Sequence, residues 1–126
     1  MKHPKVAMIV EDDYILKLLY DNFLRKLGFD IEGHPLSGKS AIEMAKQINP
    51  DLIIMDISLQ GEMDGIEALR EIRRFSSAPV IYITANSSSY CKNRAEESGY
   101  LDFLIKPVEF EVLENSVNKL SRRIVQ

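Results

Sequence analysis

The stretch Leu52-Ile53-Ile54-Met55-Asp56 decides the fold. Four apolar residues, two of them β-branched, run without polar interruption and stop at a carboxylate. A strand that is apolar on both faces belongs to a parallel sheet covered by helices on both sides. Runs at residues 6–10, 29–31, 80–83 and 101–105 have the same β-branched or aromatic character.

Helical periods separate the runs. Leu16, Leu19, Phe23 and Leu27 mark a first helix, with Gly28 placed as its stop. Ala41, Ala45 and Ile48 mark a second, capped by Ser37 and ended before Pro50. Ile66, Leu69 and Ile72 mark a third. Asp64 and Glu67 stand in capping-box spacing, so Asp64 reads as a helix cap rather than a catalyst. Residues 88–98 make a weak, polar fourth helix ending at Gly99, and Leu113, Val117, Leu120 and Ile124 make a fifth. Strict β-α alternation, five times over, predicts an α/β doubly wound sheet with right-handed crossovers.

Composition narrows the function classes. The 126 residues are 45% apolar and 28% charged, ordinary for a soluble globular domain. A formal net charge of −3 argues against direct nucleic-acid binding and favours a cation wherever the acidic excess concentrates. Cys91 is the single cysteine, so no internal disulfide or CxxC site exists, and it reads as inert. The apolar run before Glu11 is too short for a signal peptide, no stretch is long enough to span a membrane, and the expected compartment is the cytoplasm. The sequon at Asn86 is therefore read as chance. His3 and His34 have no partners at ligand spacing and read as non-functional.

In doubly wound sheets ligands bind beyond the carboxyl ends of the strands. The run ends carry Glu11-Asp12-Asp13, Asp56, Thr84-Ala85 and Lys106-Pro107. If the first and third strands are neighbours, carboxylates crowd together. At about 4 Å and an effective dielectric near 20, each pair repels by roughly 4 kcal/mol. A hard divalent cation with oxygen ligands relieves that repulsion, Mg²⁺ being held by one or two carboxylates plus water and phosphate. An aspartate beside such a cation, a lysine and a hydroxyl can accept a phosphoryl group. Asp56 has those neighbours. Asp13 reads as the cap of the first helix rather than a ligand.

Val10-Glu11-Asp12-Asp13, Leu52 to Asp56, Met63-Asp64-Gly65-Ile66, Ile83-Thr84-Ala85 and Phe103-Leu104-Ile105-Lys106-Pro107 together resemble the receiver domain of two-component response regulators, over essentially the whole chain. The resemblance implies a single receiver domain over residues 1–126, with a flavodoxin-like (βα)5 three-layer sandwich and strand order 2-1-3-4-5. It implies that Asp56 is the phosphoacceptor and that Asp12 binds Mg²⁺ directly, with Glu11 acting through water. The backbone carbonyl of Ser58 completes the metal ligands beside Asp56. Thr84 and Lys106 contact the phosphoryl group, and Phe103 is the aromatic that changes rotamer with Thr84 on activation. Ser58 and Asn86 tune the hydrolysis rate, and the Lys106–Pro107 peptide is cis.

The implied function is a phosphorylation-activated switch rather than a conventional enzyme, catalysing its own phosphorylation and slow dephosphorylation. The donor is a phosphohistidine on a sensor histidine kinase or histidine phosphotransfer protein. The output is a changed surface of the fourth helix, fifth strand and fifth helix, offered to an effector protein or domain or to a second copy in a phosphorylation-dependent homodimer. Two departures stand out. Asp56 to Gly65 is nine residues, one more than the commonest pattern, with Gln60 where the family usually has proline. The switch aromatic is Phe103 rather than tyrosine, so it lacks a hydroxyl.

Two other readings remain beside this one. Gly33, Gly38, Lys39 and Ser40 fit the P-loop pattern of a small NTPase over residues 33–40, although Pro35 removes an N–H donor that such a loop needs. A degenerate receiver acting only as an adaptor is the other, and the intact Glu11, Asp12, Asp56, Thr84 and Lys106 speak against it. The five units use the chain from Lys5 to Ile124, which predicts either a stand-alone regulator or an excised receiver.

Overall fold

The computed structural model describes residues 5–125, with the side chains of 121–125 outside the description. His3 and the Ile124 side chain therefore lie outside the described residues. The elements alternate as β1 (Lys5–Val10), α1 (Tyr14–Lys26), β2 (Phe29–Ile31), α2 (Gly38–Ile48), β3 (Leu52–Asp56), α3 (Gly65–Ile72), β4 (Val80–Thr84), α4 (Ser89–Ser98), β5 (Asp102–Ile105) and α5 (Phe110–Val125). All strand pairs are parallel and the order is 2-1-3-4-5, the flavodoxin-like arrangement.

Side chains alternate across this sheet into two cores, which is why the strands show no polar alternation. Met8, Val10, Ile53, Met55, Val80 and Tyr82 pack towards Ala41 and Ala45 of α2, Ile66, Leu69 and Ile72 of α3, and Cys91 and Ala95 of α4. Ala7, Ile9, Leu52, Ile54, Ile81 and Ile83 pack towards Tyr20 and Leu24 of α1 and Leu113 and Leu120 of α5. No helix among the described residues is long and apolar enough to cross a membrane.

Local chemistry sets the helix starts. Asp13 caps α1, accepting the Ile15 and Leu16 N–H groups at 3.0 Å each. Ser37 and Ser40 form a reciprocal capping box on α2, and Asp64 and Glu67 form another on α3. Helix α1 ends at Lys26, with Leu27 as its cap and Gly28 following at φ +94°.

Two details differ from the periodicity. Strand β5 begins at Asp102 rather than at residue 101; Asp102 pairs opposite Ile81, the Leu101 N–H donates to the Val80 carbonyl at 2.7 Å, and the Asp102 carboxylate is held by Ser116 at 2.5 Å and Lys119 at 2.8 Å. On α1 the buried residues are Tyr20 and Leu24. Leu16, Phe23 and Leu27 only flank the core, and Leu19 is exposed.

Candidate functional site

Strand register assembles the site. Val10 pairs with Met55, so Glu11 and Asp12 leave β1 beside Asp56, the last residue of β3. Asp56 pairs with Ile83, which places Thr84 one step further along β4. Thr84 pairs with Ile105, and its carbonyl accepts the Lys106 N–H at 2.9 Å. Four strand ends thus deliver five polar groups, Glu11, Asp12, Asp56, Thr84 and Lys106, to one edge of the sheet. Alternation sends Glu11, Asp56 and Lys106 towards the layer that holds Ile9, Ile54 and Leu104, under α1 and α5.

Lys106 Nζ stands 3.1 Å from Asp56 Oδ2 and 2.9 Å from Glu11 Oε1. Asp56 is 3% exposed and Glu11 1%. Asp56 Oδ1 accepts the Ser58 N–H at 3.0 Å, and Glu11 Oε2 accepts the Asp13 N–H at 3.1 Å. The ammonium at Glu11 Oε1 is close but misaligned, so this oxygen has an ion pair and no hydrogen bond. Asp12 is half-buried, and one ligand oxygen from each of Glu11, Asp12 and Asp56 lies within 4.8 Å of the others.

The electrostatics follow. Three carboxylates against one ammonium leave a formal excess of two negative charges in a dry place. Burial pushes the Glu11 carboxyl up to about 7, more than the Lys106 ammonium pulls it down, and the Asp56 charge adds to the rise. The Lys106 ammonium loses solvation by burial, yet Glu11 and Asp56 outweigh that loss and hold its pKa above the ordinary value. Three carboxylates this close together are a donor set that a dication would suit, and the ion would offset their mutual repulsion.

Thr84 is fully buried. Its Oγ1 accepts the Asn86 N–H at 3.1 Å, which leaves the hydroxyl proton to be donated elsewhere. Phe103 is half-buried, with its ring centroid 6.3 Å from Tyr82 and 5.8 Å from Tyr100. The Lys106–Pro107 peptide is cis, as the motif predicts.

The lengthened segment between Asp56 and Gly65 has a definite shape. Leu59 turns into the core, and Gly61 supplies a left-handed turn at φ +104°. The Gly65 N–H returns to the Ile57 carbonyl at 2.9 Å. Gly65 passes so close to β3 that a Cβ there would sit 2.2 Å from the Asp56 carbonyl oxygen.

The P-loop reading of residues 33–40 fails on geometry. Residues 38–40 are already the first turn of α2, whose amino end is closed by the Ser37–Ser40 box. The Ser40 hydroxyl donates to the Ser37 carbonyl at 3.1 Å instead of facing a cation. Gly33 is pressed against Met44 and Ile48. His34 does have a partner, Asp21 of α1, at 3.1 Å, within a trio with Arg25 that ties the β2–α2 loop to α1. Arg94 of α4, which no sequence motif singles out, pairs with the α3 cap Asp64. The Tyr82 hydroxyl bonds Ser98 of α4 at 2.7 Å.

The fold is a doubly wound α/β domain with a cluster of carboxylates, a lysine and a threonine at the carboxyl edge of its sheet. Residues 7–118 match the family model described as the response regulator receiver domain, and the chain belongs to that family. It is 29% identical over 119 residues to the chemotaxis protein CheY of Thermotoga maritima, covering 94% of this chain and 98% of that protein. It is 35% identical over 104 residues to the transcriptional regulatory protein PdtaR of Mycobacterium tuberculosis, covering 82% of this chain but only 50% of that protein. Among solved structures, the receiver domain of a Pseudomonas aeruginosa sensor histidine kinase, which has a magnesium ion coordinated in its active-site cleft, superposes with a TM-score of 0.77 at 28% identity, over 90% of this chain and 93% of that one. As a receiver domain the chain is a phosphorylation-activated signalling switch of the two-component type, and its family binds Mg²⁺ at the acidic site.

Proposed function

We propose that Asp56 is the phosphoacceptor of this switch and that the described chain works as one receiver unit. The observation that carries the reading is Asp56 Oδ2 at the end of β3, nearly fully buried and 3.1 Å from Lys106 Nζ, with Glu11 and Asp12 alongside. Asp12, Asp56 and the Ser58 carbonyl would hold Mg²⁺ directly, and Glu11 through water. When bound, the ion supplies charge neutralisation for the phosphoryl oxygens.

The remaining steps belong to the chain's own groups. An Asp56 carboxylate oxygen attacks the phosphorus of a phosphohistidine; the O–P bond forms as the P–N bond breaks, and the imidazole leaves with the electron pair. Lys106 turns its ammonium from the carboxylates to a phosphoryl oxygen, and Thr84 donates its free hydroxyl proton to another. Movement of Thr84 vacates space beside β4, and Phe103 shifts against Tyr82 and Tyr100 in response. That rearrangement biases the α4–β5–α5 surface between two states by the difference in their phosphoryl contacts. Water hydrolyses the acyl phosphate, at a rate tuned by Ser58 and Asn86.

The donor is a sensor histidine kinase or a histidine phosphotransfer protein. It would approach over the exposed Tyr14, Ile15 and Leu18, which crown α1 next to Asp13. The receiver of the output is an effector protein or domain, or a second copy of the chain, in the cytoplasm.

The test is incubation with a small acyl phosphate and Mg²⁺, followed by intact-mass measurement. The wild type should gain one phosphoryl group and Asp56→Asn none. An equal adduct on Asp56→Asn, or no adduct on the wild type, overturns the assignment.

A further inference from the structure

The last turn of α4 is fastened from a strand. Tyr82 lies on β4, fully buried, and its hydroxyl oxygen is 2.7 Å from Ser98 Oγ on α4. Ser98 has one hydroxyl proton, and it goes to the Ala95 carbonyl at 2.6 Å. The Tyr82 hydroxyl is therefore the donor of the pair. This two-step relay serves as a cap. An unbroken α-helix would give the Ala95 carbonyl the Gly99 N–H, but that N–H bonds the Glu96 carbonyl at 3.3 Å instead. Few other contacts hold the helix, since α4 buries only Cys91 and Ala95.

The Tyr82 ring also touches the aromatic assigned to the switch. Its centroid is 6.3 Å from that of Phe103 and 5.9 Å from that of Tyr100, both in edge-to-face geometry, and Tyr100 and Phe103 stand 5.8 Å apart. Thr84 is two residues further along β4, so it shares a sheet face with Tyr82. Tyr82 thus meets Phe103 at its ring and the end of α4 at its hydroxyl.

We propose that Tyr82 is a positioning residue that couples α4 to the switch: when Phe103 shifts, the Tyr82 ring tilts, its hydroxyl leaves Ser98, and the last turn of α4 loosens. The inference rests on the receiver chemistry proposed above. The hydroxyl is the far end of a rigid ring, so a tilt imposed at the ring face is largest there. A hydrogen bond at 2.7 Å needs well under 1 Å of such movement to pass out of range. Loss of the relay then leaves the Ala95 carbonyl without a fixed donor on a helix end that little else holds.

The test is amide hydrogen exchange with and without Mg²⁺ and beryllofluoride as the phosphoryl probe, on wild type, Tyr82→Phe, Ser98→Ala, Ser98→Thr and the Tyr82→Phe/Ser98→Ala double variant. In wild type, loading should speed exchange of residues 95–99 about ten-fold, the worth of one hydrogen bond. Tyr82→Phe should still bind the probe, but its residues 95–99 should already exchange that fast when unloaded, and loading should add nothing. Ser98→Ala should behave alike, with the double variant no faster than either single one. Ser98→Thr keeps the hydroxyl and should restore the response. Ser98→Ala, at a half-buried helix end, carries the test if Tyr82→Phe does not fold. A wild type that binds the probe with exchange at 95–99 unchanged or slowed overturns the proposal. So does a full loading response in Tyr82→Phe or Ser98→Ala, or faster exchange spread evenly over all five helices, the mark of a core defect alone. A wild type that never binds the probe overturns the receiver chemistry itself, and the inference with it.

Discussion

Arg94 Nη1 lies 2.9 Å from Asp64 Oδ2, so the middle of α4 is tied to the residue that caps α3. The pair is about a quarter exposed on each side, which limits its worth to about 1 kcal/mol or less. Arg94→Ala should cost no more than that in urea unfolding, yet raise amide hydrogen exchange selectively in α4, which buries only Cys91 and Ala95. Asp64→Ala should cost more, about 1–2 kcal/mol, because the capping box is lost along with the ion pair. Equal effects of the two substitutions, or exchange unchanged in α4, would contradict the tie.

A pH profile should report Glu11. Its folded-state value of about 7 exceeds the ordinary 4.5, so between those values the native state keeps a proton that the unfolded chain has released. In metal-free buffer this group's contribution therefore falls as pH rises from 4.5 to 7, by on the order of 3 kcal/mol, and levels off above. Glu11→Gln should flatten that slope. Stabilisation by Mg²⁺ should grow through the same window, since the cation takes the ionised form. Urea titrations at stepped pH, in chelator and in Mg²⁺, measure both trends, and a slope untouched by Glu11→Gln would refute Glu11 as its origin.

Gly61 in the loop after β3 and Gly65 at the start of α3 should respond differently to substitution. At Gly65 a Cβ meets the Asp56 carbonyl oxygen at 2.2 Å and Met55 Cγ at 2.9 Å. Gly65→Ala should cost roughly 1–3 kcal/mol or more by overpacking and slow adduct formation, because the end of β3 must shift. At Gly61 a Cβ meets nothing within 4 Å, but φ is +104°. Gly61→Ala should cost about 1 kcal/mol through strain and leave adduct formation intact. Comparable slowing by both would show that loop shape, rather than the Gly65 contact, sets the position of Asp56.

The fold was legible because four of the five apolar runs stop at a polar residue that the site's edge of the sheet uses. Val10 gives way to Glu11, and Met55 to Asp56. The caps Asp13, Ser37 and Asp64 were legible for a local reason: their partners lie two or three residues away. On α1, two apolar stripes compete. Leu16, Leu19, Phe23 and Leu27 satisfy the helical period as well as Tyr20 and Leu24 do, and only packing against the sheet selects the second. The polar Asp102 inside the β5 run was not legible as a strand residue, because the partners that satisfy its carboxylate, Ser116 and Lys119, come from α5. Arg94 and Asp64 are thirty residues apart, and no spacing rule joins them.

The thin attachment of α4 bears on how the molecule can diversify. Its two buried side chains, Cys91 and Ala95, are small, and Tyr90, Lys92, Asn93, Glu96 and Glu97 all face solvent. Substitution at those outward positions touches neither core nor the acidic cluster. Drift there can rewrite which protein listens to the domain while the phosphoryl chemistry at the far strand ends stays constant. One inherited scaffold can in this way be duplicated and assigned to separate circuits, with insulation between them encoded on a single polar helix.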